Sequence, residues 1–536
     1  MEVSEKVLVG TATAVKDIEE LRRERKKAAD RRRRIIFNND GGDATHCKEA
    51  TPEAFLNLRT TDLAGTHVDS IAYCTNGPFG LFWHNTKLGQ IFTCKEGNFG
   101  DNAAVEFIAR GTDVLEIMVD ACKKRDTEIF WSMRMNDIHD NWSSFWYAEH
   151  MFPHFKREHP ECLLGSRDNP PKGGGNLVPA WTAVDYGRKE IRDMAFQYIE
   201  EVCRNYNIDG IELDFFRDPA FFRAHSEGRD CGEKECDMMT GLIRRVRAMT
   251  EEVGLERGRP ILISVRVPDS AGYCAAIGLD LVRWLEDNLV DVLVVSGFFR
   301  LNPWETSVEL GHKYGVPVYP CLSELAWIEG EGSSIRWSLP SYRARAMSIW
   351  ASGADGVHIF NRFNPLDPLW RELGDPELLK TKKKVYCTGA RPLNKLTLAN
   401  WERFMGRDIL YPEQPRSLKK GQRETVELYV GENPCENAGS GLSPNVELRL
   451  QTKGVSLPGD LVVTLNGQDL ECSKKSEQEN WLDYSIRPSL IKEGANSFEI
   501  TFQPEAKAEE ALLKDLLLWI WYEGGQQNES GKGRAS

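Results

Sequence analysis

The chain has 536 residues, of which 41% are hydrophobic and 28% charged, and its formal net charge is -13. That length exceeds one ordinary core and points to two domains or more. The acidic balance disfavours a general affinity for nucleic acid, and no apolar run approaches the roughly 18–20 residues that a membrane span requires.

The N-terminus opens with VLVGTATAV (residues 7–15), a short apolar run. Only Lys6 precedes it, and Glu2 and Glu5 lie beside it. A signal peptide has a basic start and a longer apolar core. By sequence the chain reads as cytoplasmic, or as periplasmic or secreted if a leader has been removed. LRRERKKAADRRRRII (residues 21–36) is the one basic stretch. Glu19, Glu20, Glu24 and Asp30 interleave with its cations. It reads as a solvated helix face, within an N-terminal helical extension over 1–33, more than as an arm for nucleic acid.

Residues 34–360 alternate between short β-rich runs and helical patterns. The β runs are RIIFNND (34–40), VDSIAYCT (68–75), TEIFWSMRM (127–135), IDGIELDFF (208–216), PILISVRV (260–267), VDVLVVSG (290–297), VPVYPCL (316–322) and ADGVHIF (354–360). Between them stand patterns such as TDVLEIMVDACKKR, with a Thr/Asp cap and helical apolar spacing, and CDMMTGLIRRVRAMTEEVG. Strand followed by helix, eight times over, predicts an α/β fold of the (β/α)8 TIM-barrel type over 34–385. A doubly wound open sheet would open with a G-x-G-x-x-G loop, and IIFNNDGGD lacks that spacing.

Beyond 385 the texture changes. A linker (386–424) leads to short alternating runs at 425–431, 446–452, 460–467, 482–488, 496–503 and 515–523. These predict an accessory all-β sandwich over 425–524, followed by a disordered tail over 525–536.

In such a barrel, chemistry sits at the C-terminal ends of the strands. Side chains alternate along a strand. In the fourth run Ile211, Leu213 and Phe215 therefore face the helices, while Glu212, Asp214 and Phe216 face the barrel. Two inward acids are costly unless something satisfies them. One answer is a salt bridge to an inward arginine, Arg134 or Arg266. The favoured answer is a site with at least one functional carboxylate. Acids at i and i+2 lie about 6.6 Å apart along a strand, and glycoside hydrolysis uses two carboxyls about 5–5.5 Å apart for retention and wider for inversion. The spacing does not choose between those outcomes.

Other strand ends are polar as well: Asn38, Asn39 and Asp40 on the first, Arg134, Asn136, Asp137, His139 and Asp140 after the third, Arg266 and Asp269 after the fifth, Ser323 and Glu324 after the seventh, His358 and Asn361 on the eighth. Fifteen tryptophans is a high count, and Trp83, Trp142, Trp146, Trp181, Trp304, Trp327 and Trp370 fall in the same loops, as expected of rings that stack on sugars. The long loop over 136–184 carries GGG at 173–175. No cofactor and no metal are expected. The 13 cysteines include no C-x-x-C pair, and no Cys/His group has the spacing of a closed zinc site. A cation on Asp137, His139 and Asp140 is a minor alternative.

IDGIELDFF is similar to the fourth-strand D-G-x-D-x-D-x-E motif of chitinase-like family 18 glycoside hydrolases. Asp209, Gly210 and Asp214 match. Glu212 stands where the second Asp would be, and Phe216 stands where the catalytic Glu would be. That departure removes the family's proton donor. The run more closely resembles bacterial glycoside-hydrolase-like barrels of the family-10-like group, whose fourth strand reads G-I-x-L-D, then aromatics, Arg and Pro. Gly210, Ile211, Leu213, Asp214, Phe215, Phe216, Arg217 and Pro219 fit, with Asp218 inserted. The resemblance implies a carbohydrate-active barrel with Asp214 as a candidate catalytic group.

The resulting expectation is a glycoside hydrolase acting on a poly- or oligosaccharide. Asp214 and Glu212 are the candidate acids, with pKa values pushed apart by their proximity. Glu324 is the opposing carboxylate by analogy with other barrels. Asn38, Asp40, Arg134, Asn136, Asp137, His139, Trp142, Arg217, Arg266, Asp269, Trp327, His358 and Asn361 are the expected substrate contacts, and the arginines among them suit a uronic or sulfated sugar. A carbohydrate-binding barrel without turnover is the alternative. An isomerase or aldolase would want an inward lysine, and none of the eight runs contains one. The oligomeric state is not readable.

Overall fold

The structure is a computed structural model that describes residues 17–141, 148–171, 180–323, 332–389, 400–438, 441–475, 480–505 and 508–524. The N-terminal apolar run, the glycines at 173–175, the C-terminal tail and the residues Trp142, Trp146, Tyr147, Glu324 and Trp327 lie outside the described residues.

All eight β runs form strands: β1 (Ile35–Asn39), β2 (Val68–Cys74), β3 (Glu128–Arg134), β4 (Gly210–Asp214), β5 (Leu262–Val267), β6 (Val292–Val295), β7 (Val318–Ser323) and β8 (Val357–Phe360). They close into one barrel in sequence order, every neighbour parallel, with β8 returning to β1. The outward residues of these runs are apolar because helices cover them, and the inward side chains fill the barrel.

Helix α1 (Ile18–Ala29) is the basic N-terminal stretch. Asp17 caps it, its side chain accepting from the Glu20 N–H. Leu21, Arg25 and Ala29 form its buried stripe. Arg25 reaches Glu251 at 2.8 Å and Asp291 at 3.2 Å, so the cations bind the barrel's own acids. The predicted helices appear as α2 (Val114–Lys124), α3 (Lys189–Asn205), α4 (Glu233–Arg257), α5 (Trp304–Lys313) and α6 (Leu339–Ala351). Asp113 caps α2 by accepting from the N–H groups of Leu115 and Glu116, and Gly258 ends α4 in the left-handed region at φ 70°. Among the described residues no helix is long and apolar enough to cross a membrane. All thirteen cysteines are unbridged.

The C-terminal part is two antiparallel sheets around a separate apolar core. Its strands are β9 (Lys384–Cys387), β10 (Arg416–Lys419), β11 (Arg423–Val430), β12 (Ser443–Lys453), β13 (Leu461–Leu465), β14 (Gln468–Leu470), β15 (Lys474–Lys475), β16 (Trp481–Ile486), β17 (Gly494–Phe502) and β18 (Glu510–Glu523). One sheet runs β9-β18-β12-β16-β15, with β10 also on β18, and the other runs β11-β17-β13-β14. Asn466 and Gly467, both at positive φ, make the two-residue turn from β13 to β14. β9 and β10 fall within or beside the span expected as linker, yet both pair with β18. At four residues each they are too short to stand out as strands. Their pairing comes from the long partner.

Candidate active site

Register places the inward side chains in layers. Across β3, β4 and β5, Ser132, Glu212 and Ser264 are aligned, and one layer nearer the C-terminal end Arg134, Asp214 and Arg266 are aligned. On the other side of the barrel Cys321 of β7 is level with His358 of β8.

The deeper layer is a buried polar network in which Asn38 Oδ1 and Ser264 Oγ have no hydrogen-bond partner among the described residues. Glu212 accepts from Asn38 Nδ2 at 2.6 Å and Ser132 Oγ at 2.7 Å, and its other oxygen lies 3.1 Å from His358 Nε2. His358 Nδ1 lies 3.2 Å from Cys321 Sγ. Burial opposes the charge on His358, but the Cys321 sulfur and the Glu212 carboxylate outweigh it and raise the imidazole to about 9. Burial likewise opposes the Glu212 charge, and His358 overcomes it, holding the carboxyl below its ordinary value. The two form an ion pair inside the barrel.

In the upper layer Asp214 stands between two arginines. Arg266 meets it with two bonds, Nε to Oδ1 at 3.0 Å and Nη2 to Oδ2 at 2.5 Å, and both side chains are at most 1% exposed. Oδ1 also accepts from the N–H groups of Phe216 and Arg217. The expected alternative of a salt bridge to an inward arginine is therefore present, and Arg266 makes it. The Arg266 guanidinium lies over the Phe360 ring at 4.1 Å.

The outer layer is more open. Arg134 Nη1 donates to Asp137 at 2.7 Å. His139 Nδ1 lies 2.7 Å from the same carboxylate, and its Nε2 lies 2.9 Å from Arg217 Nη2. A guanidinium only donates, so Nε2 accepts and Nδ1 carries the proton toward Asp137. Burial would raise the Asp137 carboxyl, but His139 and Arg134 bring it well below the usual carboxylate range. Asp40 closes β1. Its Oδ1 accepts from Arg59 at 2.5 Å and from the Gly42 N–H at 2.9 Å. Its side chain is 26% exposed, and Oδ2 makes no hydrogen bond among the described residues. Burial pushes this carboxyl up, but Arg59 and Arg134 prevail and hold it at about 2. Asp40 is an ionised group with an oxygen to offer. Arg59 lies 3.8 Å over the ring of half-buried Phe363, and Arg217 lies 5.1 Å over Phe298.

Other expected contacts have structural roles. Asn136 bridges loops, donating to the carbonyls of Val184 and Ala220 and accepting from the Val184 N–H. Asp269 accepts from the N–H groups of Leu301 and Asn302. Asn361 turns the chain after β8 at φ 59°. Trp83, Trp304 and Trp370 are buried in the core, so these three rings pack against the barrel and none is an exposed platform at its mouth. Asp140 pairs with buried Lys156 at 2.7 Å, and among the described residues no cluster of His, Cys, Asp and Glu could hold a metal ion. Sequence reading missed Arg59, Ser132, Cys321, Phe298 and Phe363. Ser132 and Cys321 had a usable signal, since each lies two residues from a polar strand end and so shares its inward face. Arg59 sits on a helix and had none.

No family model and no curated protein matches the chain. It is similar to a cycloisomaltooligosaccharide glucanotransferase of Paenibacillus sp., with 7% identity and a TM-score of 0.32 over 91% of this chain and 57% of that one. It is similar to a family 36 alpha-galactosidase of Geobacillus stearothermophilus, with 10% identity and a TM-score of 0.36 over 92% of this chain and 56% of that one. It is also similar to a glycoside hydrolase domain of Bordetella bronchiseptica, with 10% identity and a TM-score of 0.37 over 61% of this chain and 94% of that one. The chain spans a little over half the length of the first two.

Proposed function

We propose that the chain is a glycoside hydrolase that cleaves O-glycosidic bonds of a poly- or oligosaccharide at the C-terminal end of its barrel. The observation that carries this reading is the open outer layer. There an ionised, part-exposed Asp40 lies beside the guanidinium groups of Arg59 and Arg134, with the Phe363 ring next to them. Charged donors, an acceptor and a ring face are what a polyhydroxylated ligand engages. A catalytic carboxylate needs an oxygen available to the sugar. Both oxygens of Asp214 and of Glu212 are engaged by the protein, whereas one oxygen of Asp40 is not. In this reading Asp40 is the carboxylate that meets the substrate and Glu324 is its opposite number. Asp214 and Glu212 hold Arg266 and His358 inside the barrel. The full engagement of Asp214 and Glu212 favours one second reading, a carbohydrate-binding barrel without turnover.

The test is a reducing-end release screen over a panel of polysaccharides with wild type, Asp40→Asn, Glu324→Gln and Asp214→Asn. The expected result is release by wild type that falls roughly 10²–10⁴-fold in Asp40→Asn and Glu324→Gln, with unchanged circular dichroism. Full activity in Asp40→Asn would remove that residue from the mechanism. No release by wild type, with retention on a glycan affinity gel, would establish the binding protein instead.

A further inference from the structure

Where the end of β6, helix α6 and the chain leading into the sandwich come together there is a small cavity of about 70 Å³. That is several times the ~10–15 Å³ that one water needs. Three guanidinium groups line it: Arg300 from the loop after β6, Arg345 from α6, and Arg407 from the segment entering the sandwich. None of the three forms an ion pair among the described residues. Arg300 Nε donates to the Asn302 carbonyl at 2.8 Å and lies over the Trp304 ring at 4.0 Å. Arg345 Nη2 donates to the Arg336 carbonyl at 3.4 Å, its guanidinium lies over the Tyr342 ring at 4.1 Å, and among the described residues its Nε is buried without a hydrogen-bond partner. Arg407 donates to the Thr388 carbonyl.

The neighbouring acids act from beyond ion-pair distance. Asp269 is engaged by the N–H groups of Leu301 and Asn302, Asp408 is paired with Arg416 at 2.7 Å, and Glu305 attracts Arg300 without reaching it. Burial pulls Arg300 below its ordinary value, and the adjacent Arg407 charge pulls it further. Converging cations in a part-buried cavity are costly unless an anion joins them. The guanidinium fork matches the oxygens of a carboxylate, sulfate or phosphate. Buried Phe298 stands between this cavity and the residues that follow β4. It lines the cavity, stacks on Phe216 at 6.2 Å, and carries Arg217 over its ring.

We propose that Arg300, Arg345 and Arg407 form an oxyanion-binding site that receives the acidic substituent, a uronate carboxylate or a sulfate ester, of a sugar bound at the mouth of the barrel. This rests on the carbohydrate reading given under Proposed function. The same chemistry would also take a free inorganic anion, and the test separates the two.

Thermal unfolding of the full chain is compared in sodium sulfate and in sodium chloride at equal ionic strength, for wild type, Arg407→Gln and Arg345→Gln. Affinity electrophoresis follows, through polygalacturonate, a sulfated glucan and a neutral glucan. The expected result is a sulfate-specific rise of a few degrees in wild type that shrinks in both variants. The acidic polymers should then bind wild type at least tenfold more tightly than they bind Arg407→Gln. No sulfate-specific rise in wild type, with equal acidic-polymer binding by wild type and Arg407→Gln, overturns the site. A sulfate rise without any difference between wild type and Arg407→Gln on acidic polymers overturns the sugar substituent and assigns a free anion. Acidic polymer held through Arg407 but never cleaved supports the cavity while defeating the hydrolase reading.

Discussion

The Glu212–His358 pair lies in the most enclosed part of the barrel, so its proton affects the stability of the whole fold. The ordinary value for histidine in an unfolded chain is about 6.5, and in the folded chain His358 stands at about 9. A raised value means the folded state holds the proton more tightly. The stabilisation is fully present below pH ~6.5 and is lost as pH rises through ~9. Urea unfolding at intervals between pH 6 and pH 10 should therefore show stability falling across that window, and His358→Gln should flatten the fall. A level profile in wild type would sink the ion pair. Little of this was legible beforehand. The polar strand ends marked Asn38, Glu212 and His358 as inward-facing, but which group each would meet depends on strands 174 and 146 residues apart in the chain.

At the scale of elements, the barrel strands stood out because an apolar run bounded by helical periodicity is a local pattern. What each strand carries next to its neighbour is set by register, and a shift of one residue would turn every inward side chain outward. Arg134, Asp214 and Arg266 are level because β3, β4 and β5 pair in that register, and this decides for Arg266 between the two arginines that the sequence offered as partners. Gly210 helps to fix it. A Cβ there would lie 2.2 Å from Phe130 Cε1 and 2.9 Å from the Leu262 carbonyl oxygen. Gly210→Ala should cost about 1–3 kcal/mol, read as a lower midpoint in denaturant. An unchanged midpoint would mean that β4 does not approach its neighbours as closely as described.

At the scale of the whole molecule, the sandwich is fastened to the barrel by backbone contact and by buried charge. Gly431 lies so close to α6 that a Cβ would fall 2.4 Å from the Ser348 nitrogen. Arg336, just before α6, forms two bonds of 2.8 Å to Asp515 of β18, with both side chains at most 1% exposed. Removing one partner of a buried pair leaves the other charge uncompensated, at roughly 3–5 kcal/mol. Arg336→Gln should lower the calorimetric transition of the sandwich and separate it from that of the barrel. A single transition at the wild-type temperature would show that the pair does not hold the two parts together. The same junction forms the arginine cavity, so the site proposed there depends on both parts.

The amino-acid sequence by itself determined the architecture: a barrel of eight strand–helix units followed by a β-sandwich, with the polar residues gathered at the C-terminal strand ends. Those features rest on periodicity, capping and turn residues, which act within a few neighbours along the chain. Only the tertiary structure decided which polar groups engage one another. Asp214 is held by Arg266, Glu212 by His358, and Asp40 by Arg59 through one oxygen, the other making no hydrogen bond among the described residues. Electrostatic pairing and desolvation depend on separation in space, and residues far apart in sequence acquire a definite separation only when the barrel closes.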